Sequence, residues 1–125
     1  MEKKFIMTAF GYAILGLMLG IYMAASKNHD EFVTHAHIML LGFVVSFIYA
    51  LCHKLWLNNL KSTLSVVQFY IHLIATLVLF VALFLGYGSF VAFEKLEPIL
   101  ASSSTAAFVG LILMSIMMTK AVKTA

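Results

Sequence analysis

The stretch HAHIMLLGFVVSFIYALCHKL, residues 35–55, is long and apolar, yet it carries three histidines. An α-helix needs roughly 20 apolar residues to cross a hydrocarbon core about 30 Å thick. This stretch is long enough, and three other runs are comparable, so we predict spans at about residues 5–25, 32–56, 64–91 and 105–118. The sequence therefore predicts helices that lie in lipid, and one of them has an unusual number of imidazoles.

The composition of the whole chain agrees with a membrane protein. Its 125 residues are 63% hydrophobic and 10% charged, and their mean hydropathy is +1.04, far from that of an ordinary soluble domain. The predicted connections are short, and short connections make consecutive helices antiparallel neighbours. We therefore expect one transmembrane domain over residues 1–125, an all-α, integral membrane up-down four-helix bundle. Pro98 is expected in the last connection, and the N-caps of the final helix are expected at Ser102, Ser103 and Ser104.

The basic residues predict the orientation of the bundle. All eight are lysines, and six of them fall on one side: Lys3, Lys4, Lys54, Lys61, Lys120 and Lys123. The positive-inside rule then places both termini in the cytoplasm, and we expect the membrane to be a bacterial inner membrane. The net charge of +3 is thus a topology signal, and nothing in it suggests nucleic acid. A cleaved signal peptide is the competing interpretation of the N-terminal run, although that run exceeds the roughly 7–15 apolar residues of such a segment.

His35 and His37 lie on different faces of the predicted second helix. At 3.6 residues per turn they are about 200° apart. The face of His37 is apolar throughout, whereas the face of His35 continues through small and polar residues: Met39, Gly42, Ser46, Tyr49 and His53. Two residues at i and i+2 do not share a face, so a single metal held by both is disfavoured. Two sites, a subunit boundary or loop geometry at this end of the helix remain open.

The third span carries its own polar line, with members three or four residues apart: Ser65, Gln68, His72 and Thr76. An ionisable group inside a membrane is costly, and we expect it to face the bundle interior with a partner. For His72 that partner is either a hydrogen-bonding Ser, Thr or carbonyl group, or a metal. If the chain turns around Asn59, His72 lies level with about residue 47, roughly 15 Å from His37 and roughly 9 Å from His53 along the axis.

Five histidines in a small membrane protein point to a metal or a cofactor. Imidazole binds haem iron, copper and zinc. The chain has no arginine, and its predicted spans contain no carboxylate and no Ser-His-Asp spacing. Hydrolysis and ion-coupled transport are therefore disfavoured.

Copper or zinc is the alternative to haem. His29, Asp30 and Glu31 in the first connection would complete a copper or zinc site with His35 or His37. A solvated charged loop is the favoured interpretation of these three residues, and the metal site remains open as the alternative.

Two further patterns have two interpretations each. Met114, Met117 and Met118 share one face of the last span, where thioethers would suit Cu(I) but would also fill gaps in an apolar core. Gly16 and Gly20 form a GxxxG pair in the first span. That pattern serves either close packing inside the bundle or dimerisation.

The ordered histidine motifs resemble a known family. HAHIMLLGFVVSFIYALCHKL, followed after a short basic turn by VVQFYIHLIAT, residues 66–76, looks like the small four-span membrane proteins related to the catalytic subunit of haem-copper oxidases. Those proteins show a His-x-His motif with a following Leu and Gly on one helix, and a Phe-Trp-Leu-His-like segment on the next. The matching residues here are His35, His37, Leu41 and Gly42, and then Gln68, Phe69, Tyr70, Ile71 and His72. Phe43 and Tyr70 stand where the relatives often have Trp.

The resemblance implies that His35, His37 and His72 ligate haem b and allows a second metal, because the larger family uses a His-x-His pair that points to opposite sides of one helix. His53 and His29 are further candidate metal ligands. We expect an oligomer or a larger membrane complex with a redox partner, acting in electron transfer or in the handling of O2 or NO. A copper- or zinc-binding membrane protein and a non-catalytic accessory subunit of a respiratory complex are the alternatives. Whether the chain is an enzyme stays open.

Overall fold

In the computed structural model, which describes residues 1–58 and 62–124, the chain is helical and these residues form no strand. The helices, in chain order, are α1 (Glu2–Ser26), α2 (Phe32–Leu55), α3 (Thr63–Tyr87) and α4 (Phe93–Thr124). The predicted all-α fold is therefore confirmed. By length and composition, each of these helices is apolar enough to cross a membrane.

Consecutive helices pack antiparallel to one another. Gly16, in the second half of α1, lies against Met39 early in α2, whereas Phe5 at the start of α1 lies against Tyr49 late in α2. The same reversal relates α2 to α3 and α3 to α4. The connections before α2 and before α4 mark the loop end of the bundle, and the two chain termini mark the terminal end. The predicted turn around Asn59 lies outside the described residues.

α4 begins at Phe93, well before the predicted start near residue 105, so Pro98 lies inside the helix. The expected N-caps are internal as well: Ser102, Ser103 and Ser104. Ser103 instead donates its hydroxyl to the Ile99 carbonyl oxygen at 2.7 Å. Both expectations were wrong because a tertiary contact extends the helix: the Phe93 ring fills the space that Gly86 of α3 leaves open. Pro98 is exposed near the helix start and removes only one backbone hydrogen bond there.

Local sequence signals determine where α3 begins and ends. The Ser62 hydroxyl oxygen accepts a hydrogen bond from the Ser65 N–H at 3.2 Å and caps the start of the helix. The helix ends at Tyr87 rather than near residue 91. Ser89 adopts a φ of 62°, a left-handed conformation that does not continue a right-handed helix.

α2 contains a π-helical segment that the sequence did not predict. Residues Ile38–Val44 have π-helical hydrogen bonding, between α-helical turns at Phe32–His37 and Val45–Leu55. Gly42 lies in this segment, and a Cβ added there would come within 2.8 Å of the Tyr12 ring and 2.9 Å of the Phe80 ring. A glycine therefore lets α1 and α3 approach the wider turn of α2. π-helical segments are rare and often mark functional sites.

The bundle has a hydrophobic cluster towards each end, but most of its largest fully buried side chains are polar. The terminal-end cluster contains Met1, Phe5, Tyr49, Ala50, Leu57, Phe69, Met114 and Met117. The loop-end cluster contains Tyr12, Ile38, Leu79, Phe80 and Leu83. The fully buried polar side chains are Thr34, Ser46, His53, Ser65, Gln68, His72 and Thr76. Uncharged polar and histidine side chains are seldom buried so completely, so this polar interior is the part of the fold most relevant to function.

Candidate functional site

His35 sits on the glycine pair of α1. The His35 Nδ1–H donates to the Gly16 carbonyl oxygen at 2.7 Å, and the imidazole Cε1 lies 3.0 Å from where a Cβ on Gly20 would be. A Cβ on Gly16 would collide with the Met39 sulfur. The GxxxG pair is therefore occupied inside this bundle by α2. Because Nδ1 carries the proton, the lone pair of the neutral ring is on Nε2, which has no hydrogen-bond partner among the described residues.

His37 points away from the bundle. Its side chain is exposed, and its Nδ1–H donates to the Val33 carbonyl oxygen of the same helix at 2.8 Å. The Nε2 lone pair of His37 is thus also free, but it faces the surroundings of the protein. His35 and His37 lie on different faces of the helix, as the sequence predicted, and they do not share a site.

His72 is fully buried in the middle of the bundle. Its Nε2 shares a hydrogen bond of 2.8 Å with the Ser46 hydroxyl of α2, which agrees with the predicted level near residue 47. Its Nδ1 has no partner in the described part of the chain. The Thr76 hydroxyl donates to the His72 carbonyl oxygen at 2.8 Å and lies 3.0 Å from the Tyr12 hydroxyl oxygen. The hydrogen-bonding interpretation of His72 therefore holds for one of its two ring nitrogens.

His53 is fully buried as well, and neither of its ring nitrogens has a partner in residues 1–58 and 62–124. Its ring stacks on Phe5, with centroids 5.5 Å apart and planes at 23°. The same Phe5 ring lies 6.0 Å from the His72 ring. Phe5 therefore packs against both buried imidazoles.

Gln68, one turn before His72, is a further buried polar group of this region. Its amide Nε2 donates to the Gly110 carbonyl oxygen of α4 at 3.2 Å, but its Oε1 has no partner among the described residues. A Cβ on Gly110 would meet the His72 Cβ at 3.8 Å, an ordinary van der Waals contact, so Gly110 takes part here through its carbonyl oxygen. The sequence placed Gln68 on the polar line of α3, but it offered no signal for the role of Gly110.

Glu31 is a residue whose setting the sequence did not foresee. The sequence places Glu31 with His29 and Asp30 in a connection that either ligates a metal or is solvated. In the structure only 6% of the Glu31 surface is exposed. Its Oε1 accepts a hydrogen bond from the Thr34 hydroxyl at 2.7 Å. Burial raises the pKa of the Glu31 carboxyl above its ordinary value, with a smaller effect in the same direction from Asp30 and an opposing one from Thr34. In the sequence, only the separation of three residues between Glu31 and Thr34 indicates that their side chains interact.

The histidines form two separate pairs. His35 and His37 lie in the loop-end half, and His53 and His72 lie in the terminal-end half around Phe5. The distance from Phe5 to the start of the glycine pair is roughly 16 Å along α1 at 1.5 Å per residue. A single group cannot be held by all four residues within one protomer.

The described residues do not gather three or more His, Cys, Asp or Glu side chains into a metal-holding group. The first connection is therefore not folded around His35 or His37 as a ligand cluster, and His29 is exposed. Met114 and Met117 are buried in the terminal-end cluster, where they pack against apolar side chains as gap-fillers do.

No protein-family model, no curated protein and no solved structure matches the chain. The resemblance to relatives of the haem-copper oxidase catalytic subunit therefore depends on the order and spacing of the histidine motifs alone.

Proposed function

We propose that this chain is a multi-pass protein of the bacterial inner membrane, with both termini in the cytoplasm, that binds haem through histidine and serves electron transfer or diatomic-gas handling. The observation that carries the proposal is that each of the four helix histidines keeps at least one ring nitrogen without a partner in the described residues. Native proteins pair nearly all of their buried polar groups. A ligand that takes up the buried nitrogens of His53 and His72 would remove this deficit.

The buried pair supports the proposal most strongly. His53 and His72 together present three ring nitrogens with no partner in the described part of the chain. An unsatisfied buried polar group costs about 1–3 kcal/mol, so the bundle would gain stability if these nitrogens were ligated. Imidazole nitrogen is the commonest protein ligand of haem b iron, so the donor set fits haem. Phe5 packs against both rings and would have to move for a group to enter there.

The loop-end pair fits haem in a different way. In His35 and His37 the Nδ1–H is committed to a backbone carbonyl oxygen. This is the arrangement in which a metal-ligating histidine has its tautomer fixed and its Nε2 lone pair available. Because His37 faces outward, its Nε2 can reach only a group outside the protomer. The proposal therefore includes a homo-oligomer or a larger membrane complex in which His37 meets a second subunit.

A bound haem would supply a one-electron couple and the capacity to bind a diatomic gas. The residues of this chain would do the rest. Ser46 would fix the orientation of the His72 ring through its 2.8 Å hydrogen bond. The apolar side chains around Phe5 would exclude water, which raises the influence of nearby polar groups on the redox potential. No residue is assigned a catalytic role.

A non-catalytic accessory subunit is the second candidate, and one observation favours it. The His72–Ser46 hydrogen bond and the packing of His72 against Gly110 are what a purely structural histidine would show. A copper or zinc protein is the weaker alternative, since the described residues lack a cluster of three candidate ligands.

The test is the haem content of detergent-purified protein after expression with ample haem supply. We expect bound haem in the wild type and a large loss in His72→Gln and His35→Gln. The matched control is His29→Gln, since His29 is exposed in the first connection, and it should bind haem like the wild type. Absence of haem from all samples would refute haem binding. In that case stoichiometric copper or zinc by elemental analysis would indicate the metal alternative, and no metal at all would indicate the accessory subunit.

A further inference from the structure

A cavity of about 260 Å³ opens at the loop end, between the second half of α1, the first connection and the end of α3. We call it the aromatic-carboxylate pocket and define it by Tyr22, Glu31, Phe84, Gly88 and Phe90. It lies beside the glycine pair of α1, since Leu19 and Tyr22 on either side of Gly20 both line it. None of the four helix histidines lines it, so it is separate from the proposed haem ligands.

The carboxylate of Glu31 is the polar group of the pocket. Glu31 is more than nine-tenths buried, with 6% of its surface exposed, and the Thr34 hydroxyl donates to its Oε1. Its Oε2 accepts no hydrogen bond from the described residues. That oxygen lies 2.8 Å from where a Cβ on Gly88 would be. Gly88 thus lets the Glu31 carboxylate and the Phe90 ring approach the end of α3 closely.

The charges near this carboxylate are mostly negative, and the positive contribution comes from the N-terminus of α2, which Glu31 caps. Asp30 precedes Glu31 in the chain and also lines the pocket. α3 ends at this point, with Gly88 as its C-cap, and a helix C-terminus carries partial negative charge. No lysine forms an ion pair with Glu31 or Asp30 in residues 1–58 and 62–124, where the ion pair found joins Lys54 to Glu2 at the other end of the bundle. A buried carboxylate in such surroundings needs a proton or a cation.

The walls of the pocket favour one class of cation. Tyr22, Phe84 and Phe90 surround it, and the Phe84 and Phe90 rings stack with centroids 5.8 Å apart and planes at 17°. Aromatic faces attract organic cations through cation–π interaction, whereas a hard metal ion needs six or more oxygen ligands. The volume is just below the roughly 300–1,000 Å³ of drug-sized sites. It therefore suits a small alkylammonium group rather than a large ligand.

We propose that the aromatic-carboxylate pocket binds an organic ammonium group, with the Glu31 carboxylate as its counter-ion and Tyr22, Phe84 and Phe90 as its apolar walls. The ammonium comes either from a free small amine or from the ethanolamine headgroup of a phospholipid, because the loop end is where a predicted membrane span meets water. The proposal does not depend on haem binding.

The experiment is a calorimetric titration of the full chain in a neutral detergent with ethanolamine hydrochloride. We expect saturable binding to the wild type and at least about tenfold weaker binding to Glu31→Gln, since removal of one partner of a buried charge pair is costly. The matched control is Glu94→Gln, because Glu94 is exposed on α4 and does not line the pocket. This control should bind like the wild type. Sodium chloride at the same concentration should give no saturable heat.

A second variant separates loss of the site from loss of the fold. Gly88→Ala would place a methyl group against the Glu31 Oε2 and the Phe90 ring, so it should weaken ethanolamine binding while the helical circular dichroism stays at the wild-type level. Folded Glu31→Gln or Gly88→Ala protein that binds ethanolamine as tightly as the wild type would overturn the proposal.

The source of the ammonium is decided with vesicles. The wild type is purified from membranes and from vesicles of phosphatidylethanolamine and phosphatidylglycerol mixed in equal amounts, and the retained lipid is measured by mass spectrometry. Preferential retention of phosphatidylethanolamine that is lost in Glu31→Gln assigns the site to the lipid headgroup. Ethanolamine binding without lipid preference assigns it to free amines. If the wild type neither binds ethanolamine nor retains phosphatidylethanolamine preferentially, the site is refuted.

Discussion

Among the described residues, Ser46 is the single hydrogen-bond partner of the His72 ring. In haem-free protein, Ser46→Ala should leave the buried imidazole with no partner at either nitrogen and lower the free energy of unfolding by about 1–2 kcal/mol. The matched control is Ser115→Ala, because the exposed Ser115 bonds only to the Leu111 carbonyl oxygen of its own helix. Its effect should stay within about 0.5 kcal/mol.

Thermal unfolding in detergent, followed by circular dichroism, measures both variants. Equal stability of Ser46→Ala and Ser115→Ala would show that the His72–Ser46 hydrogen bond does not contribute to the fold. It would also remove the argument that Ser46 orients His72.

Glu31 gives the ligand-free protein a pH dependence with a defined sign. Burial raises the pKa of its carboxyl above the ordinary value of 4.5, so the folded state holds this proton more tightly than the unfolded state. The resulting stabilisation is fully present below the unfolded pKa and is lost as pH rises through the raised folded pKa. Asp30 and Tyr22 are the other titratable groups that line the pocket, while α3 contributes apolar side chains and Gly88.

We therefore expect Glu31→Gln to have a higher melting temperature than the wild type near pH 7 and to show a flatter dependence of melting temperature on pH between about pH 4 and pH 8. Added ethanolamine should stabilise the wild type most at the upper end of that range, where the carboxylate is ionised. A melting temperature that falls with rising pH as steeply in Glu31→Gln as in the wild type would contradict this assignment.

At the scale of the helices, the glycine pair of α1 decides how closely α2 approaches. Gly20→Ala would place a Cβ 3.0 Å from the His35 ring, and we expect it to lower stability by about 1–3 kcal/mol through overpacking. The matched control is Gly11→Ala, since a Cβ there meets no atom within 4 Å. Gly11→Ala should be neutral or slightly stabilising, because alanine is the better helix former.

Thermal unfolding of the two glycine variants checks this prediction, and the haem content of each gives a second readout. Gly20→Ala should also disturb haem binding through His35, whereas Gly11→Ala should not. If both variants unfold at the wild-type temperature, the GxxxG pair is not an internal packing site, and the dimerisation interpretation is favoured.

The elements show which parts of the fold the sequence could predict. Apolar run lengths located the four helices, and helical periodicity placed Gly42, Ser46, Tyr49 and His53 on the buried side of α2. The start of α4 and the π-helical segment of α2 depend on contacts distant in the chain, namely Phe93 on Gly86 and the Tyr12 and Phe80 rings on Gly42. Local sequence patterns do not contain such contacts.

The same reason limits prediction of the candidate site. The opposite directions of His35 and His37 follow from helical geometry alone and were predictable. The sequence could not predict that the His53 ring has no partner among the described residues, nor that Glu31 is buried. Each of these features depends on side chains from other parts of the fold.

Across the whole molecule, the up-down order separates the two regions to which we assign binding. The terminal-end half holds the buried His53 and His72, and the loop end holds the aromatic-carboxylate pocket, with His35 and His37 between that pocket and the middle of the bundle. The exposed face of His37 makes a second subunit the natural partner for its free nitrogen. The central claim is that the unpartnered imidazole nitrogens of this bundle ligate haem.

The most direct measurement is the dithionite-reduced minus air-oxidised absorbance difference spectrum of purified protein, for the wild type, His72→Gln and the control His29→Gln. The claim predicts the Soret and visible bands of a b-type haem in the wild type and in His29→Gln, with those bands strongly reduced or shifted in His72→Gln. A flat difference spectrum from wild-type protein supplied with haem, or identical bands in all three proteins, would contradict it.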